Sequence, residues 1–214
     1  PMIHRINIKK NIVQGLVIAP TRELCVQISN DFKAFSKFIK GLSVATIYGG
    51  ASMDKQSREI RSGAQIVVAT PGRLMDMMKR RMIKINNVSY VVLDEADEML
   101  NMGFKEDIDG ILEHTPYEKS TWLFSATMPK EVAKISKSYM TNPIEITVGN
   151  KNVGADNIEH VFYNVSERDR FKAVKRILDF NPNIYGLIFC RTRRTTQDVA
   201  DKLLKEGYSA APLH

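Results

Sequence analysis

Residues 90–100 read Tyr90-Val91-Val92-Leu93-Asp94-Glu95-Ala96-Asp97-Glu98-Met99-Leu100, and the break at Asp94 decides how the chain is organised. Tyr90 to Leu93 is apolar or aromatic and rich in β-branched Val, the composition of a buried strand. Two carboxylates follow at once. In open α/β sheets the ligand crevice lies outside the carboxyl ends of the strands, so Asp94 and Glu95 are expected at its rim. Adjacent carboxylates there suit a hard cation such as Mg²⁺, which takes oxygen ligands and keeps several waters. One acid could hold the ion's water shell while the other orients or deprotonates an attacking water. The same residues also read as an acidic loop at the start of the next helix, where Asp and Glu are favoured. This stretch alone leaves both readings open.

The other strand ends separate them. Gly15 to Ala19 is a short apolar run that breaks at Pro20-Thr21-Arg22-Glu23, and a helix follows with Leu24, Ile28, Phe32, Phe35 and Ile39 on one side, closed by Gly41. Leu42 to Tyr48 is a strand ending on Gly49-Gly50, and a helical stretch then runs to Arg61 and stops at Gly63. Gln65 to Ala69 ends on Thr70-Pro71-Gly72-Arg73. After the acidic strand comes a helix with Ile108, Ile111 and Leu112. Thr121 to Phe124 ends on Ser125-Ala126-Thr127, and Pro129 opens a helix carrying Val132, Ile135 and Tyr139. Ile144 to Val148 is expected as a last strand. Strands alternating with helices at this spacing require parallel βαβ units, hence a doubly wound α/β sheet. Five successive strands end in small, hydroxyl, acidic or Arg residues, all on one edge. A scaffold alone has no use for such an edge.

Residues 149–157 are polar, hold two glycines and lack a period, which predicts a linker between a first unit, 1–148, and a second, 158–214. In the second, strands are expected at His160–Val165 and Tyr185–Cys190. Helices are expected around Phe171, Val174 and Leu178, capped by Ser166, and around Val199 and Leu203 as far as Gly207.

The 214 residues carry a net charge of +7 with 26% charged and 43% hydrophobic side chains, a globular composition with a lean toward polyanionic partners. A basic surface that only aids solubility is the competing account. Cys25 and Cys190 are far apart and suit reduced, buried thiols better than a disulfide or a zinc site. No apolar run approaches membrane-spanning length, and an intracellular, cytoplasmic location is the default expectation. His4, His114, His160 and His214 show no spacing suited to metal or nucleophilic chemistry.

Pro20-Thr21-Arg22-Glu23-Leu24, Gly49-Gly50, Thr70-Pro71-Gly72-Arg73, Asp94-Glu95-Ala96-Asp97, Ser125-Ala126-Thr127 and Phe189-Cys190-Arg191-Thr192 stand in the order and context of the DEAD-box ATP-dependent RNA helicases, which the chain resembles over nearly its whole length. The resemblance implies a RecA-like doubly wound sheet followed by part of a second RecA-like domain. It implies that Asp94 holds Mg²⁺ through water and that Glu95 positions the hydrolytic water. Asp97 is implied to pair with Ser125-Ala126-Thr127 and to link nucleotide state to strand separation. Ser125 and Thr127 also read as caps of the helix after Pro129, the reading that the residues alone favour for Thr127. Pro20, Thr21, Arg22, Gly49, Gly50, Thr70, Pro71, Gly72 and Arg73, with Arg191 and Thr192 from the second domain, are implied RNA-backbone contacts. None reads base edges, so the grip would be independent of sequence. Phe189 is expected in the core.

No Gly-x-x-x-x-Gly-Lys-Ser/Thr loop occurs, and Pro1 to Ile6 resembles the end of the helix that would follow it. The expectation is therefore an internal fragment of a monomeric helicase, with ATP, Mg²⁺ and RNA as ligands of the parent and little ATP binding or hydrolysis in the fragment itself. A non-catalytic single-stranded RNA-binding or partner-binding protein is the alternative. A DNA-directed helicase or a chromatin or repair ATPase is a third reading.

Overall fold

The structure, a computed structural model, describes residues 1–148 and 158–213. The chain divides into two compact units, Pro1–Val153 and Gly154–His214. The expected linker, 149–157, lies outside the described residues.

In the first unit a short helix α1 (Met2–Arg5) precedes β1 (Gly15–Ile18) and α2 (Arg22–Phe35). There follow β2 (Val44–Ile47), α3 (Met53–Arg61), β3 (Ile66–Ala69), α4 (Pro71–Lys79) and β4 (Tyr90–Leu93). Then come α5 (Ala96–Asn101), α6 (Lys105–Glu113), β5 (Ser120–Leu123) and α7 (Lys130–Tyr139). The five strands pair in the order β2-β3-β1-β4-β5, every pair parallel. Parallel neighbours need long crossovers, and the intervening helices supply them.

Side-chain alternation assigns each strand residue to one of two cores. Leu16, Ile18, Ala45, Ile47, Val67, Ala69, Val91 and Leu93 face Leu74, Met77, Ile108, Ile111, Leu112, Val132 and Ile135. On the opposite side Val17, Ala19, Ile66 and Val68 pack with Met2, Ile6 and Cys25, flanked by Leu24, Ile28, Phe32, Val92 and Trp122. The central strands β1 and β3 are buried on both faces, which is why their sequences read as continuous apolar runs. Leu93 is wholly buried, and truncating it to Ala would cost about 2–5 kcal/mol.

Some expectations need correction. Helix α2 ends at Phe35, not at Gly41, because the Ser36 hydroxyl donates to the Phe32 carbonyl at 2.6 Å and satisfies the helix end there. Gly41, at φ +91°, instead turns the chain into β2. The acidic strand is followed by two helices, α5 and α6, split at Gly103 (φ +84°). Ile144–Val148 forms no strand, and Ile144, Ile146 and Val148 are exposed.

In the second unit the described residues form a 3₁₀ turn (Glu167–Asp169) and helices α8 (Arg170–Phe180) and α9 (Arg193–Lys205). The expected strands at His160–Val165 and Tyr185–Cys190 are absent, and Phe189 is 90% exposed rather than in the core. A strand needs a neighbour to take up its backbone donors and acceptors. No described segment beside these runs provides one. Ser166 does not cap α8: its hydroxyl donates to the Asp169 carboxylate at 2.6 Å, ahead of the turn.

Candidate active site

The strand registers align Ile18 with Ala69 and Leu93, Ile47 with Ala69, and Leu93 with Leu123. The residues that follow each strand therefore emerge at one level. Backbone bonds carry the row past the strands: Ala19 N donates to Ala69 O, Thr70 N to Ile47 O, Asp94 N to Ile18 O and Phe124 N to Leu93 O, all at 2.8–3.0 Å. Segments far apart in sequence, Pro20–Arg22, Gly49-Gly50, Thr70–Arg73, Asp94–Asp97 and Ser125–Thr127, thus share one rim.

Asp94 is half-buried at the end of β4, and its Oδ1 accepts from the Glu95 amide at 3.1 Å. Glu95 is exposed and adopts the left-handed conformation, φ 51° and ψ 52°. For a non-Gly residue this costs on the order of 1–2 kcal/mol, and it turns the chain from strand into α5 in a single step. Neither carboxylate has a cationic partner among the described residues. Those residues hold no group of three or more His, Cys, Asp or Glu suited to a metal. Two open carboxylates fit Mg²⁺ nonetheless, since that ion binds through one or two carboxylates and takes water and substrate phosphate for the rest.

Asp97 has a different environment. Its Oδ2 accepts from the Thr127 hydroxyl at 2.6 Å and the Thr127 amide at 2.8 Å, and its Oδ1 from the Glu98 amide at 3.1 Å. Desolvation raises the pKa of the carboxyl, but bonds from the Thr127 hydroxyl and amide, the Ser125 hydroxyl and the Glu98 amide outweigh it and hold the group below the usual carboxylate range. Ser125 Oγ accepts from the Asp97 amide at 3.3 Å and donates to the Thr127 carbonyl at 2.6 Å. With one proton to give, the Ser125 hydroxyl serves that carbonyl more than the carboxylate. The residue-based expectation that Thr127 caps the following helix is thus overturned. Helix α7 has Pro129 as its N-cap and no side-chain cap, while the Thr127 hydroxyl is committed to Asp97. Ala126 is the exposed residue between them.

The remaining rim residues are fixed as follows. Thr21 caps α2 by accepting from Leu24 N at 3.2 Å, so the adjacent Pro20 is buried and Arg22 opens the helix. A cation at a helix N-terminus opposes the macrodipole. Arg22 is held there by the Tyr48 ring, 4.8 Å from its guanidinium. Arg73 is no free surface cation: its Nη1 donates to Ala51 O and to Gln56 Oε1, each at 3.0 Å, and Gln56 Nε2 donates to Tyr48 O at 3.0 Å. This network brackets Gly49-Gly50, whose second glycine has φ +79°. Thr70 is the N-cap of α4 without using its hydroxyl for capping, and Pro71 takes the first helical position. A side chain at Gly72 would meet Asp107 of α6 and Phe104, the residue ahead of that helix, at 3.6 and 3.8 Å. In the second unit Thr192 caps α9 by accepting from Thr195 N at 3.1 Å, directly after the exposed Arg191. Thr21 and Thr192 therefore do the same local work in different units. Sequence reading missed Gln56 and Tyr48; a buried amide in a polar helix and a strand-end Tyr carry no signal of their own.

Sheet order and rim together define the first unit as a RecA-like, doubly wound α/β domain. A family model described as DEAD/DEAH box helicase matches residues 1–135, and the chain belongs to that family. It is 42% identical over its full length to the ATP-dependent RNA helicase CshA of Listeria monocytogenes, covering 41% of that protein. It is 41% identical to the DEAD-box ATP-dependent RNA helicase CshA of Bacillus subtilis, covering 43%, and 40% identical to the ATP-dependent RNA helicase DeaD of Mycobacterium tuberculosis, covering 38%. The chain thus spans about two fifths of the length of these relatives. The crystal structure of a DEAD box protein from the hyperthermophile Methanococcus jannaschii superposes with a TM-score of 0.66 at 39% identity, covering all of this chain and 57% of that one. Among the described residues, no helix is long and apolar enough to cross a membrane.

Proposed function

We propose that this chain belongs to an ATP-dependent RNA helicase, in which hydrolysis of Mg-ATP is coupled to gripping and locally opening RNA. The observation that carries the reading is the contrast along one rim between two open carboxylates, Asp94 and Glu95, and a third, Asp97, saturated by Thr127 only a few residues away. Bound Mg²⁺ would offset charge on the phosphate oxygens. Asp94 would hold the water shell of that ion. Glu95, exposed beside it, would orient the attacking water and accept its proton. Asp97, Ser125, Ala126 and Thr127 would carry the nucleotide state to the RNA side, because hydroxyls can exchange hydrogen-bond partners with little displacement.

Pro20, Thr21, Arg22, Gly49, Gly50, Thr70, Pro71, Gly72 and Arg73 would hold the RNA backbone, with Arg191 and Thr192 contributing from the second unit. Exposed backbone at Gly49-Gly50 leaves room for a phosphate, as nothing lies within 4 Å of a side chain built there. Such contacts position a strand without reading its bases. The two free cysteines support a reducing compartment, the cytoplasm, and the protein is proposed to act as a monomer.

The test is Glu95→Gln in the full-length protein. ATP and RNA binding should persist while turnover is lost, and ATPase activity near that of the unaltered protein would refute the role of Glu95.

A further inference from the structure

The edge of the sheet opposite the rim carries a cluster of basic loops. Three loops enter the adjacent strands β2, β3 and β1 there: residues 36–43, 62–65 and 7–14. With Arg61, the last residue of α3, they carry Lys9, Lys10, Lys37 and Lys40 and contain neither Asp nor Glu. All five cations are exposed, and none is in an ion pair among the described residues.

Two buried amides hold these loops side by side. Gln65, 1% exposed, accepts from Ser43 N at 2.8 Å and donates to Gly41 O at 3.2 Å and Ile8 O at 3.4 Å, so a single side chain ties the Lys40 loop to the Lys9 loop. Gln14 clamps the Lys9–Lys10 turn through Asn7 N and O, both at 2.9 Å, and Lys10 O at 3.2 Å. Gly63, at φ +104°, lies against the Asn11 side chain and joins the 62–65 loop to the 7–14 loop. Buried amides are costly unless satisfied, and here their bonds go to presenting basic loops.

Beside them Phe38 is 91% exposed, with Lys37 Nζ 5.7 Å from its ring centroid. A ring left in water next to unpaired cations is the combination that binds single strands: bases stack on the aromatic while lysines follow the backbone.

We propose that Phe38, Lys9, Lys10, Lys37, Lys40 and Arg61 form a second single-stranded RNA-binding surface, on the edge of the first unit away from the rim. It rests on the proposed function only in taking RNA as the partner. The surface engages a strand long enough to leave the rim, and short RNA fills the rim alone.

The experiment uses the full-length protein and measures binding to a short and a long single-stranded RNA across a salt series. One variant combines Lys9→Ala, Lys10→Ala, Lys37→Ala and Lys40→Ala, a second is Phe38→Ala, and Arg22→Ala serves as the rim reference. For long RNA the lysine variant should lower the slope of log K against log salt by about 0.7 per lost phosphate contact, up to about 2.8. Phe38→Ala should weaken long RNA roughly 5-fold or more, and both variants should leave short RNA unchanged. Unchanged slope and affinity for long RNA, while Arg22→Ala weakens both RNAs, would overturn this surface and leave the proposed function standing. If none of the variants alters RNA binding, the surface is refuted together with the reading of the rim. Loss of binding to phosphatidylserine vesicles without loss of RNA would overturn it in favour of a membrane partner.

Discussion

Asp97→Asn isolates the bridge between the DEAD segment and Ser125–Thr127. The carboxylate accepts from the Thr127 hydroxyl at 2.6 Å and the Thr127 amide at 2.8 Å, on the one oxygen, Oδ2. A hydrogen bond to a charged group contributes about 1.5–3 kcal/mol when buried. Asp97 is only half-buried, and solvent screening lowers that figure. Asparagine can keep one acceptor but loses the charge, so a loss of about 1–2 kcal/mol at neutral pH is expected, or very roughly 2–8 °C in Tm for a unit of this size. The sign with pH follows from the depressed pKa of Asp97. Its contribution is present above the unfolded value, near 3.9, and disappears as the pH falls through the lower folded value. Urea unfolding of both proteins at pH 7 and at successively lower pH is the assay. The two curves should differ at neutral pH and converge below about pH 4. A stability gap that persists undiminished into acid would mean that packing, not the charged bridge, sets the cost, and the account of Asp97 would fail.

Ser125→Ala combined with Thr127→Ala should reduce unwinding by the full-length protein more than RNA-stimulated ATP hydrolysis; equal losses in both assays would remove the coupling role. Glu95→Gly should relieve the left-handed strain and raise stability by roughly 1 kcal/mol in thermal unfolding while abolishing turnover, the sign opposite to that of a structural glutamate. Gln56→Ala should release Arg73 and the Tyr48 carbonyl together, costing on the order of 1–3 kcal/mol and weakening RNA binding; unchanged RNA affinity would show that the Gly49-Gly50 loop does not depend on that network. Burial pushes the Cys25 thiol up to about 12, opposed in part by the Ala19 backbone and aided by the charge of Glu23. Cys25 should therefore resist alkylation at mildly alkaline pH until the protein unfolds, and its contribution to stability, intact below the ordinary thiol value near 8.5, should erode as the pH rises toward about 12.

The parallel sheet was legible because β1, β3 and β4 are short apolar runs that each break where the rim begins, and β1 and β3 are apolar throughout because both of their faces are buried. Apolar patterning misled at Ile144–Val148, which alternates, and at Tyr185–Cys190, a short apolar run, because no neighbouring strand among the described residues takes up their backbone bonds. Periodicity records what a segment could bury, and pairing depends on what lies beside it. At the site, the position of Asp94, Glu95 and Thr70 along one rim followed from strand ends alone. The partner of Thr127 did not, because a Ser-x-Thr before Pro129 satisfies the rule for helix caps equally well, and only the alignment of β5 beside β4 brings Thr127 to Asp97.

That alignment also explains why three acids within four residues can do unlike work. Asp94 leaves β4 at the level of the row, Glu95 turns left-handed and swings its side chain into solvent, and Asp97 falls on the first turn of α5, facing the segment that leaves β5. A carboxylate with its acceptor sites filled by amide and hydroxyl donors gains nothing by exchanging them for a hydrated cation, whereas one with open sites does. Asp97 is thereby suited to hold two segments together, while Asp94 and Glu95 keep the open acceptor sites that the proposed ion and its water would need. The strained backbone of Glu95 sets this division, since a relaxed helical start there would carry its carboxylate into α5, where it would act as an ordinary N-terminal acid.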